Sequence, residues 1–571
     1  MRLFSDDVVA GFLADGWWTE ETWGSHFAYN VAEHAERVCL VDSPGTVASL
    51  GREPARLTWA ELDAAVDRCA GMFYAHGVAA GDVLGIQIPN SVELVITYLA
   101  LNRLGAILSP YATAYRRHEI AQLAAIAEAR GFVTAAVHAG RDLREDIASV
   151  FDGLPSAKTL FVWNGTQSHG DVPLNLPDVL SGPEPGAEYR SHVAALRPHP
   201  NDCTMIIFTS GTTGVPKGVP RAYGDSMASA RNTVGVPRLT GDDVLLNSMP
   251  MVNAGSIAGI FLPWLLTGCR LVQHDPFDLH VFASQIEQER VTYTVVPPTI
   301  LNDMVSTDSI FTAYDLSSLR AVGAGSAPLS GWAISRWEQD HGVEIINFFG
   351  STEGLQLTAD ADTVPDPAMR GRCLPLPGSP RFEWRTKTGR YSKARLVDVD
   401  TGAEITEAGR PGELRVKSAS LFSGYLNPVE DPFDEQGYYC TGDIFEFSAD
   451  APDLLVHVDR KKDLIIRGGM NISAAEIETL LAGHPKVGEA AAVGRKDERL
   501  GERTCVFVVP RDRADPPTLA ELIEFLERQR IARFKLPESL ELIDKLPRNP
   551  SGKVLKQELR SAINANNGRS I

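Results

Sequence analysis

Residues 204–221 constrain this chain more than any other stretch, and they read TMIIFTSGTTGVPKGVPR. The apolar residues 205–208 predict a short buried strand, which the following Thr/Ser/Gly run cannot continue because those residues favour turns. Glycines let backbone N–H groups approach a ligand, the hydroxyls donate hydrogen bonds, and a lysine adds positive charge. The pattern predicts a loop that binds a polyphosphate. The residues of this phosphate loop are Thr209, Ser210, Gly211, Thr212, Thr213, Gly214 and Lys217.

A Gly/Ser-rich surface linker is the alternative for this stretch. Linkers seldom carry several hydroxyls and a Pro-Lys-Gly directly behind an apolar strand. The spacing also differs from the G-x-x-x-x-G-K-[ST] loop of P-loop NTPases, because Lys217 stands between Pro216 and Gly218. A different nucleotide chemistry is therefore indicated.

The composition limits the class of protein. A chain of 571 residues, 44% hydrophobic and 22% charged, is long enough for two or three globular domains. Its net charge of −19 argues against nucleic acid or an anionic membrane as a partner. The seven cysteines contain no C-x-x-C pair, so neither a disulfide framework nor a zinc site is indicated.

The cellular setting follows from the same features. An acidic N-terminus without a signal peptide and a reducing environment for the cysteines predict a cytoplasmic protein. The most apolar runs, 92–108 and 257–268, are interrupted by polar residues or too short to span a bilayer.

Helix and strand signals alternate along the first half of the chain, which predicts α/β layers with parallel strand pairing. Residues 57–77 predict an amphipathic helix, because Thr58 and Glu61 form a capping-box pattern before an apolar face. Residues 165–178 are predicted to be a polar loop. Further strands are predicted at 83–88, 106–108, 132–137, 159–163, 319–322 and 345–349, and further helices at 91–105 and 330–341.

Small residues follow several predicted strands. Asn253, Ala254 and Gly255 open an apolar helix and leave room for a bulky group, although a tight packing corner is an equal alternative. Residues 323–329 predict a second loop that exposes its backbone. Glu353 follows the strand at 345–349 and a glycine turn, where it could hold Mg²⁺, which prefers oxygen ligands. A solvated glutamate is the alternative.

The last part of the chain predicts a separate compact domain. Asp443 leaves a turn and could accept hydrogen bonds from ribose hydroxyls. The charge cluster at 459–463 predicts a domain boundary, with an ordinary hairpin turn as the alternative. Helices and strands of about a hundred residues follow, within the usual size of a domain. The final loop presents Lys553 from a turn.

Taken together, these blocks resemble the superfamily of adenylate-forming enzymes, which contains acyl- and aryl-CoA synthetases, peptide-synthetase adenylation domains and beetle luciferases. The match extends from about residue 57 to 560. The local sequence is most similar to that of cyclohexanecarboxylate-type CoA ligases and dihydroxybenzoate-adenylating enzymes. The matching blocks read FTSGTTGVPKG, GSTEG, YCTGD, DRKKDLIIRGGMNIS and PRNPSGKV.

The resemblance implies an α/β fold with a large N-terminal domain of several subdomains and a small mobile α+β C-terminal domain. The large domain, which binds ATP and the acid, is expected at 1–459, the hinge at 460–463 and the small domain at 464–571. ATP and Mg²⁺ are the implied cofactors, with coenzyme A as a substrate. A carboxylate is first converted to an acyl-adenylate with release of pyrophosphate, and a thiol then takes the acyl group and releases AMP.

The resemblance also assigns roles. Lys553, Thr352, Glu353 and Lys217 are the implied catalytic residues, and Glu353 is the metal ligand. Lys462 is the hinge residue and Gly469 borders the thiol channel. Beyond the phosphate loop, the implied ATP-binding residues are Gly325, Ser326, Ala327, Asn347, Phe348, Phe349, Gly350, Ser351, Asp443 and Arg460. Of these, residues 325–327 and 347–349 are implied to flank the adenine, and Asp443 and Arg460 are implied to hold the ribose. The implied acyl pocket is formed by Asn253, Ala254, Gly255 and Gly323.

One departure bears on the substrate. Dihydroxybenzoate enzymes carry an asparagine that reads a ring hydroxyl where this chain has Ala254, so the sequence favours an apolar acid, ring-bearing or of medium length. The predicted partners are that acid and coenzyme A. A separate carrier protein as acceptor and a second copy of the chain remain alternatives. A sensor of acyl-adenylate without turnover and a luciferase-like oxygenase are the remaining functional alternatives.

Overall fold

The computed structural model describes residues 1–571 except 152, 155, 158, 166–170, 210–215, 326–328, 429, 462, 468–469, 498, 530, 532, 550–551 and 567–571. The chain divides into two compact units. The larger unit contains Met1–Lys393 and Val416–Tyr439, and the smaller contains Ala394–Arg415 and Cys440–Ile571. The predicted division at 460–463 stays a prediction.

The strands of the larger unit belong mainly to two mixed sheets. In chain order they are β1 Val38–Val41, β2 Arg56–Thr58, β3 Val83–Gln87, β4 Ile107–Pro110, β5 Gly131–Ala135, β6 Val137–His138, β7 Arg141–Asp142, β8 Thr159–Trp163, β9 Val172–Leu174, β10 Cys203–Thr209, β11 Lys217–Ala222, β12 Val244–Asn247, β13 Arg270–Gln273, β14 Tyr293–Val296, β15 Ala321–Gly325, β16 Glu344–Gly350, β17 Gln356–Ala359 and β18 Cys373–Pro375.

The helices of the larger unit pack against these sheets. They are α1 Asp6–Ala14, α2 Trp23–His34, α3 Thr46–Leu50, α4 Trp59–Ala75, α5 Val92–Arg103, α6 Arg117–Ile126, α7 Leu143–Phe151, α8 Leu176–Ser181, α9 Ala187–Ala195, α10 Tyr223–Gly235, α11 Ala254–Ser256, α12 Leu262–Thr267, α13 Leu279–Glu289, α14 Pro298–Ser306, α15 Asp308–Ala313, α16 Gly331–His341, α17 Pro367–Arg370 and α18 Lys387–Tyr391, with a π-helical segment at Ile257–Phe261 between α11 and α12. No helix in the described part of the chain is long and apolar enough to cross a membrane.

Parallel pairing dominates both sheets, as the alternating pattern predicts. One sheet has the strand order β17-β16-β15-β14-β12-β13-β1-β2, and the other has the order β11-β10-β4-β3-β5-β8-β9. Strands β12 to β16 run parallel to one another, and so do β3, β4, β5 and β8, whereas β17 is antiparallel to β16. The carboxyl ends of such strands meet at one edge, where ligands of α/β folds bind.

The capping-box helix forms where the sequence predicts it. Helix α4 begins after Thr58, whose hydroxyl accepts from the backbone N–H of Glu61 while the Glu61 carboxylate accepts from the Thr58 N–H at 2.8 Å. Two otherwise unpaired backbone donors are thereby satisfied. The predicted polar loop at 165–178 is wrong in its second half, because Val172–Leu174 forms edge strand β9 beside β8 and helix α8 follows.

A tryptophan pair lies in the main core of the larger unit. The rings of Trp59 and Trp264 stack with centroids 5.0 Å apart and 10° between their planes. Both side chains are fully buried, and the indole N–H of Trp264 donates to the Cys39 carbonyl at 3.0 Å. The stack thus ties α4 to the helix that leads from the predicted acyl pocket.

The smaller unit contains strands β19 Lys393–Val397, β20 Glu404–Ile405, β21 Gly412–Lys417, β22 Tyr439–Phe447, β23 Leu454–Arg460, β24 Ile465–Arg467, β25 Met470–Ile472, β26 Val487–Asp497, β27 Gly501–Pro510 and β28 Ser539–Leu542, and helices α19 Ala474–Leu481, α20 Leu519–Arg528 and α21 Lys556–Asn566. Strands β23, β22, β21, β19 and β20 are neighbours in that order in one sheet. Strands β25, β24, β27 and β26 form another, with β28 paired to β27.

Trp264→Ala should lower the free energy of unfolding of the larger unit by about 3–5 kcal/mol, because it removes a fully buried ring and leaves a cavity. Chemical denaturation measures the change. Trp332→Ala is the matched control, since that side chain is 53% exposed and its loss should cost no more than about 0.5 kcal/mol. Equal effects of the two substitutions would contradict the assignment of the core.

Candidate functional site

Strands β10 and β11, which flank the predicted phosphate loop, form an antiparallel pair. Strand β10 ends at Thr209 and β11 begins at Lys217, and these two residues face each other in antiparallel register. Ser210, Gly211, Thr212, Thr213 and Gly214 lie outside the described residues, so their role stays a prediction. The structure therefore fixes both ends of the loop.

A second tight turn follows strand β16 at residues 350–354. The backbone N–H of Ser351 donates to the Leu355 carbonyl at 3.1 Å, and that of Gly354 donates to the Ser351 carbonyl at 3.1 Å. Gly354 has φ of +100°, and a Cβ there would lie 1.9 Å from the Ser420 carbonyl oxygen. Only glycine fits this position, because the turn packs directly against another backbone.

Glu353 is buried in this turn, so it is not the solvated glutamate of the alternative reading. Its side chain is only 6% exposed. The hydroxyl of Tyr425 donates to Glu353 Oε1 at 2.7 Å, and the backbone N–H of Phe422 donates to the Glu353 carbonyl at 2.8 Å. Burial and the adjacent carboxylate raise the pKa of Tyr425, so the tyrosine remains a donor. One carboxylate oxygen is thus oriented by a fixed neutral donor.

Tyr425 also meets the far end of the phosphate loop. Lys217 Nζ lies 4.5 Å from the centroid of the Tyr425 ring, within range of a cation–π contact. Asn427 strengthens this junction, because its Nδ2 donates to the Pro216 carbonyl and its Oδ1 accepts from the Gly218 N–H, both at 3.2 Å. One short segment therefore contacts both Lys217 and Glu353.

Arg221 is hydrogen-bonded to the turn that contains Glu353. Its guanidinium is buried and pairs with Asp225 at 2.6 Å. Nη1 donates to the Thr352 carbonyl at 2.8 Å, and Nη2 donates to the Ser420 carbonyl at 2.9 Å. Burial raises the pKa of the Asp225 carboxyl to about 6, since desolvation outweighs the neighbouring guanidinium. Arg221 and Tyr425 were not identified from the sequence, although Pro-Arg follows the loop directly and Gly-Tyr interrupts a polar segment.

The predicted adenine residues lie on β15 and β16, which are adjacent and parallel. Gly325 allows a close approach of the two strands, because a Cβ there would lie 2.1 Å from the Phe348 carbonyl oxygen. Asn347 donates from Nδ2 to the Arg370 carbonyl at 2.8 Å, while Phe348 and Phe349 are half-buried. Ser326 and Ala327 lie outside the described residues.

The predicted acyl-pocket segment begins a helix whose first residue is Ala254. Asn253 caps it, since its Oδ1 accepts from the Ser256 N–H at 3.0 Å and its Nδ2 donates to the Pro250 carbonyl at 3.2 Å. Ala254 is half-buried and Gly255 is exposed. The helix then widens into the π-helical segment, a geometry found frequently at functional sites. The side-chain oxygen and nitrogen of Asn253 are thus both used in local hydrogen bonds.

In the smaller unit, the two predicted ribose residues are adjacent. Asp443 on β22 and Arg460 on β23 face each other across the sheet, and Arg460 Nε lies 3.1 Å from Asp443 Oδ1. His457 Nε2 lies 3.9 Å from the same oxygen, a neighbour that the sequence did not identify. Asp443 is buried, so the pair forms a defined polar site.

Lys553 is half-buried after a turn, in agreement with the predicted loop. Its backbone N–H donates to Asn549 Oδ1 at 2.8 Å, and the Gly552 N–H donates to the Asn549 carbonyl at 2.9 Å. Gly552 has φ of +82°, which favours glycine. The predicted hinge residue Lys462 and the predicted thiol-channel residue Gly469 lie outside the described residues.

The donor set around Glu353 fits a magnesium ion that a substrate also coordinates. Among the described residues, no cluster of three or more His, Cys, Asp or Glu could hold a metal. Mg²⁺ bound through one carboxylate and substrate phosphates needs no such cluster. The Ser351 hydroxyl is buried, and the described residues give it no hydrogen bond, so an oxygen donor beside Glu353 remains available.

Comparison with known proteins gives consistent matches along the chain. Residues 27–426 match the family described as AMP-binding enzyme, and residues 476–553 match its C-terminal domain. The chain is 28% identical to the medium-chain fatty-acid–CoA ligase of Escherichia coli (strain K12), covering 98% of this chain and 94% of that enzyme. It is 30% identical to the 2,3-dihydroxybenzoate-AMP ligase of Bacillus subtilis (strain 168), covering 98% and 96%.

The fold is similar to that of an anthranilate CoA ligase solved in complex with anthranoyl-AMP. The TM-score is 0.77 at 22% sequence identity, and the match covers 96% of this chain and 98% of that one. The predicted α/β fold class, with a large N-terminal and a small C-terminal domain, is confirmed by this likeness.

Tyr425→Phe should weaken binding of Mg²⁺·ATP about tenfold or more while keeping the ring beside Lys217. The lost hydrogen bond to the Glu353 carboxylate is of a kind worth about 1.5–3 kcal/mol, and about 1.4 kcal/mol corresponds to a factor of ten. Calorimetric titration measures the affinity. Tyr438→Phe, whose ring lies 4.7 Å from Lys417 Nζ instead, is the control. Identical affinities for both variants would refute the role of the Tyr425 hydroxyl.

Proposed function

The chain belongs to the AMP-binding enzyme family, whose members are acid-adenylating ligases, and from this premise we propose that it is an ATP-dependent acid–CoA ligase. Enzymes of this family use ATP with Mg²⁺, and its CoA ligases use coenzyme A as a substrate. The observation that supports the proposal best is the joint fixation of Lys217 and Glu353 by Tyr425. This arrangement fixes the predicted phosphate-binding residue Lys217 and the predicted metal ligand Glu353 relative to each other before a nucleotide binds.

The proposed reaction has two steps. A carboxylate oxygen of the acid attacks the α-phosphorus of ATP, and the bond from that phosphorus to the pyrophosphate oxygen breaks. The thiol of coenzyme A then loses its proton to the surrounding water as its sulfur attacks the acyl carbon, and AMP leaves with the electron pair of the broken carbon–oxygen bond. Both steps develop negative charge on phosphate oxygens, which fixed donors and cations stabilise.

Residues of the larger unit carry the first step. Thr209–Gly214 and Lys217 hold the β- and γ-phosphates that leave as pyrophosphate, and Thr352 contacts phosphate. Residues 325–327 and 347–349 border the adenine, and Gly350 and Ser351 also belong to the ATP site. Glu353 would hold Mg²⁺ together with the phosphates, and the ion would neutralise part of the phosphate charge. The Arg221 contact holds the Thr352 carbonyl, so that the Thr352 and Glu353 side chains project from a fixed backbone.

The ribose is bound in this proposal by residues of the smaller unit. Asp443 accepts hydrogen bonds from the ribose hydroxyls, and Arg460, which pairs with it at 3.1 Å, orients the carboxylate. Lys553 donates to the reacting phosphate during adenylation. The small domain at 464–571 then turns on Lys462, withdraws Lys553 and brings Gly469 to the thiol channel, a step that separates the two chemistries.

The acid that we propose is ring-bearing or of medium length. Asn253, Ala254, Gly255 and Gly323 line its pocket, and the half-buried Ala254 offers no hydrogen-bonding side chain. The alternative acceptor is the phosphopantetheine of a separate carrier protein, which the likeness to the 2,3-dihydroxybenzoate-AMP ligase of Bacillus subtilis keeps open. A panel of carboxylic acids with ATP, Mg²⁺ and coenzyme A alone tests the proposal. Acyl-CoA formation supports it, whereas acid-dependent pyrophosphate release without acyl-CoA favours the carrier protein.

Lys553→Ala should slow acid-dependent pyrophosphate release about 10²–10³-fold, the usual effect of removing one donor to a developing charge. The same variant should transfer a supplied acyl-adenylate to coenzyme A at the wild-type rate, because the lysine is needed only while the phosphate transition state exists. Single-turnover assays of each half-reaction measure the two rates. Lys545→Ala, an exposed lysine of the same unit, is the control. Equal losses in both half-reactions would be inconsistent with this role.

Ala254→Trp should raise KM steeply for the best acid and leave the affinity for ATP unchanged, since the added ring fills space that the acyl group needs. Larger acids should lose more than smaller ones, because each methylene-sized change in a pocket is worth about 1–3 kcal/mol. Steady-state kinetics over a series of acids measures the effect. ATP affinity is the internal control for misfolding, and an unchanged rank order of acids would place the pocket elsewhere.

A further inference from the structure

Buried side chains on one face of the larger sheet include polar atoms without hydrogen-bond partners, although Asn247 Nδ2 donates to Gln273 Oε1 at 2.9 Å. Tyr293 lies two residues before Val295 on β14, level with Leu245. Asn247 on β12 lies level with Gln273 on β13 and with Val295 on β14, and Val295 lies level with Gly323 on β15. Neighbouring residues of parallel strands point to the same face. Within the described part of the chain, Asn247 Oδ1, Gln273 Nε2 and the hydroxyl of Tyr293 are buried and have no hydrogen-bond partner.

This row lies on the face that packs against the predicted acyl-pocket helix. Leu245, Tyr293 and Val295 alternate with residues of the opposite face and share a hydrophobic cluster with Ile257 and Phe261. A Cβ on Gly259 of the π-helical segment would come within 3.8 Å of the Val295 side chain. These contacts place the predicted acyl-pocket helix directly against this face of the sheet.

The Tyr293 hydroxyl reaches the predicted pocket residue Gly323. A Cβ placed on Gly323 would lie 2.7 Å from the Tyr293 hydroxyl oxygen and 2.7 Å from a ring carbon of Phe348. The Tyr293 side chain is fully buried, whereas Phe348 is half-buried. Burial raises the pKa of Tyr293, so the phenol stays protonated and can donate. The donor therefore lies beside Gly323 and the Phe348 ring, and it is more deeply buried than that ring.

A buried hydroxyl without a partner is unfavourable, and native proteins satisfy nearly all such groups. The other buried tyrosines on this side of the unit have partners: Tyr98 donates to the Met251 carbonyl at 2.6 Å, and Tyr223 accepts from Asn102 at 2.8 Å. We propose that the Tyr293 hydroxyl binds a polar substituent of the acid, and that the substrate is a largely apolar carboxylic acid with one hydroxyl-sized hydrogen-bonding group.

The position of Tyr293 also indicates which end of the acid carries the polar substituent. Gly325, at the predicted adenine site, is two residues beyond Gly323 on β15, which corresponds to about 6–7 Å along a strand. That distance is comparable to the length of a six-membered ring. The substituent therefore lies at the end of the acyl group away from the carboxylate. This assignment replaces the wholly apolar acid favoured by Ala254, because the polar contact comes from another segment.

The inference rests on the proposed function, and matched acids test it separately. We suggest pyrophosphate-release assays with pairs that differ only in a terminal hydroxyl or methyl group, namely 4-hydroxy- and 4-methylbenzoate, 4-hydroxy- and 4-methylcyclohexanecarboxylate, and 6-hydroxyhexanoate and heptanoate. Each pair is measured with the wild-type enzyme, Tyr293→Phe and the control Tyr223→Phe. Thermal unfolding of all variants reports their stability.

The wild-type enzyme should prefer the hydroxylated member of the accepted pair by at least tenfold in kcat/KM. Tyr293→Phe should abolish that preference while leaving kcat/KM for the methyl member within about twofold. It should not lower Tm, because no protein contact is lost, whereas Tyr223→Phe should lower Tm and keep the preference. Equal loss for both members of a pair, or a wild-type preference for the methyl member, would overturn the inference. Binding of Mg²⁺·ATP without pyrophosphate release for any acid would instead count against the proposed function.

Discussion

The guanidinium of Arg221 joins segments that are far apart in the sequence, and the candidate site depends on it. Arg221 lies on β11 and bonds to Asp225 on the following helix α10, to the Thr352 carbonyl beside Glu353, and to the Ser420 carbonyl. A buried charge is tolerated only when it is paired and its hydrogen bonds are satisfied. Asp225 provides the charge, and the two carbonyls accept the remaining donors. The cost of burying the ion is thereby offset by fixing the backbone that presents Thr352 and Glu353.

The remaining contacts build outward from this anchor. The Ser420 hydroxyl donates to the Gly354 carbonyl at 2.9 Å, and the missing side chain of Gly354 lets the two backbones touch. From that junction the chain continues to Tyr425 and Asn427, which contact Glu353 and the ends of the phosphate loop. Arg221, Ser420 and Glu353 are buried, whereas Lys217 is half-buried. The residues that support the candidate site are therefore buried, while Lys217 remains partly accessible, as the binding of a polyphosphate requires.

The sequence predicts those parts of this arrangement that depend on local chemistry. The end of β10, the capping box of α4 and the turn before Lys553 all follow from neighbouring residues, and the structure contains each of them. Arg221, Tyr425 and Tyr293 were not predicted, because their roles arise from contacts between residues that are distant in sequence. Strand β9 was missed for a related reason, since a short edge strand gains its stability from pairing with β8 rather than from its own pattern.

Gly323 illustrates how the two kinds of information combine. From the sequence, a glycine at the end of a strand indicates space for the acyl group. In the structure, that space is bounded by the Tyr293 hydroxyl and the Phe348 ring, each 2.7 Å from the position of a Cβ. A larger residue there would displace one of them, so the glycine is needed for the rings as much as for the ligand. In the proposed pocket, the half-buried Phe348 limits the size of the acyl group and the fully buried Tyr293 supplies the polar contact.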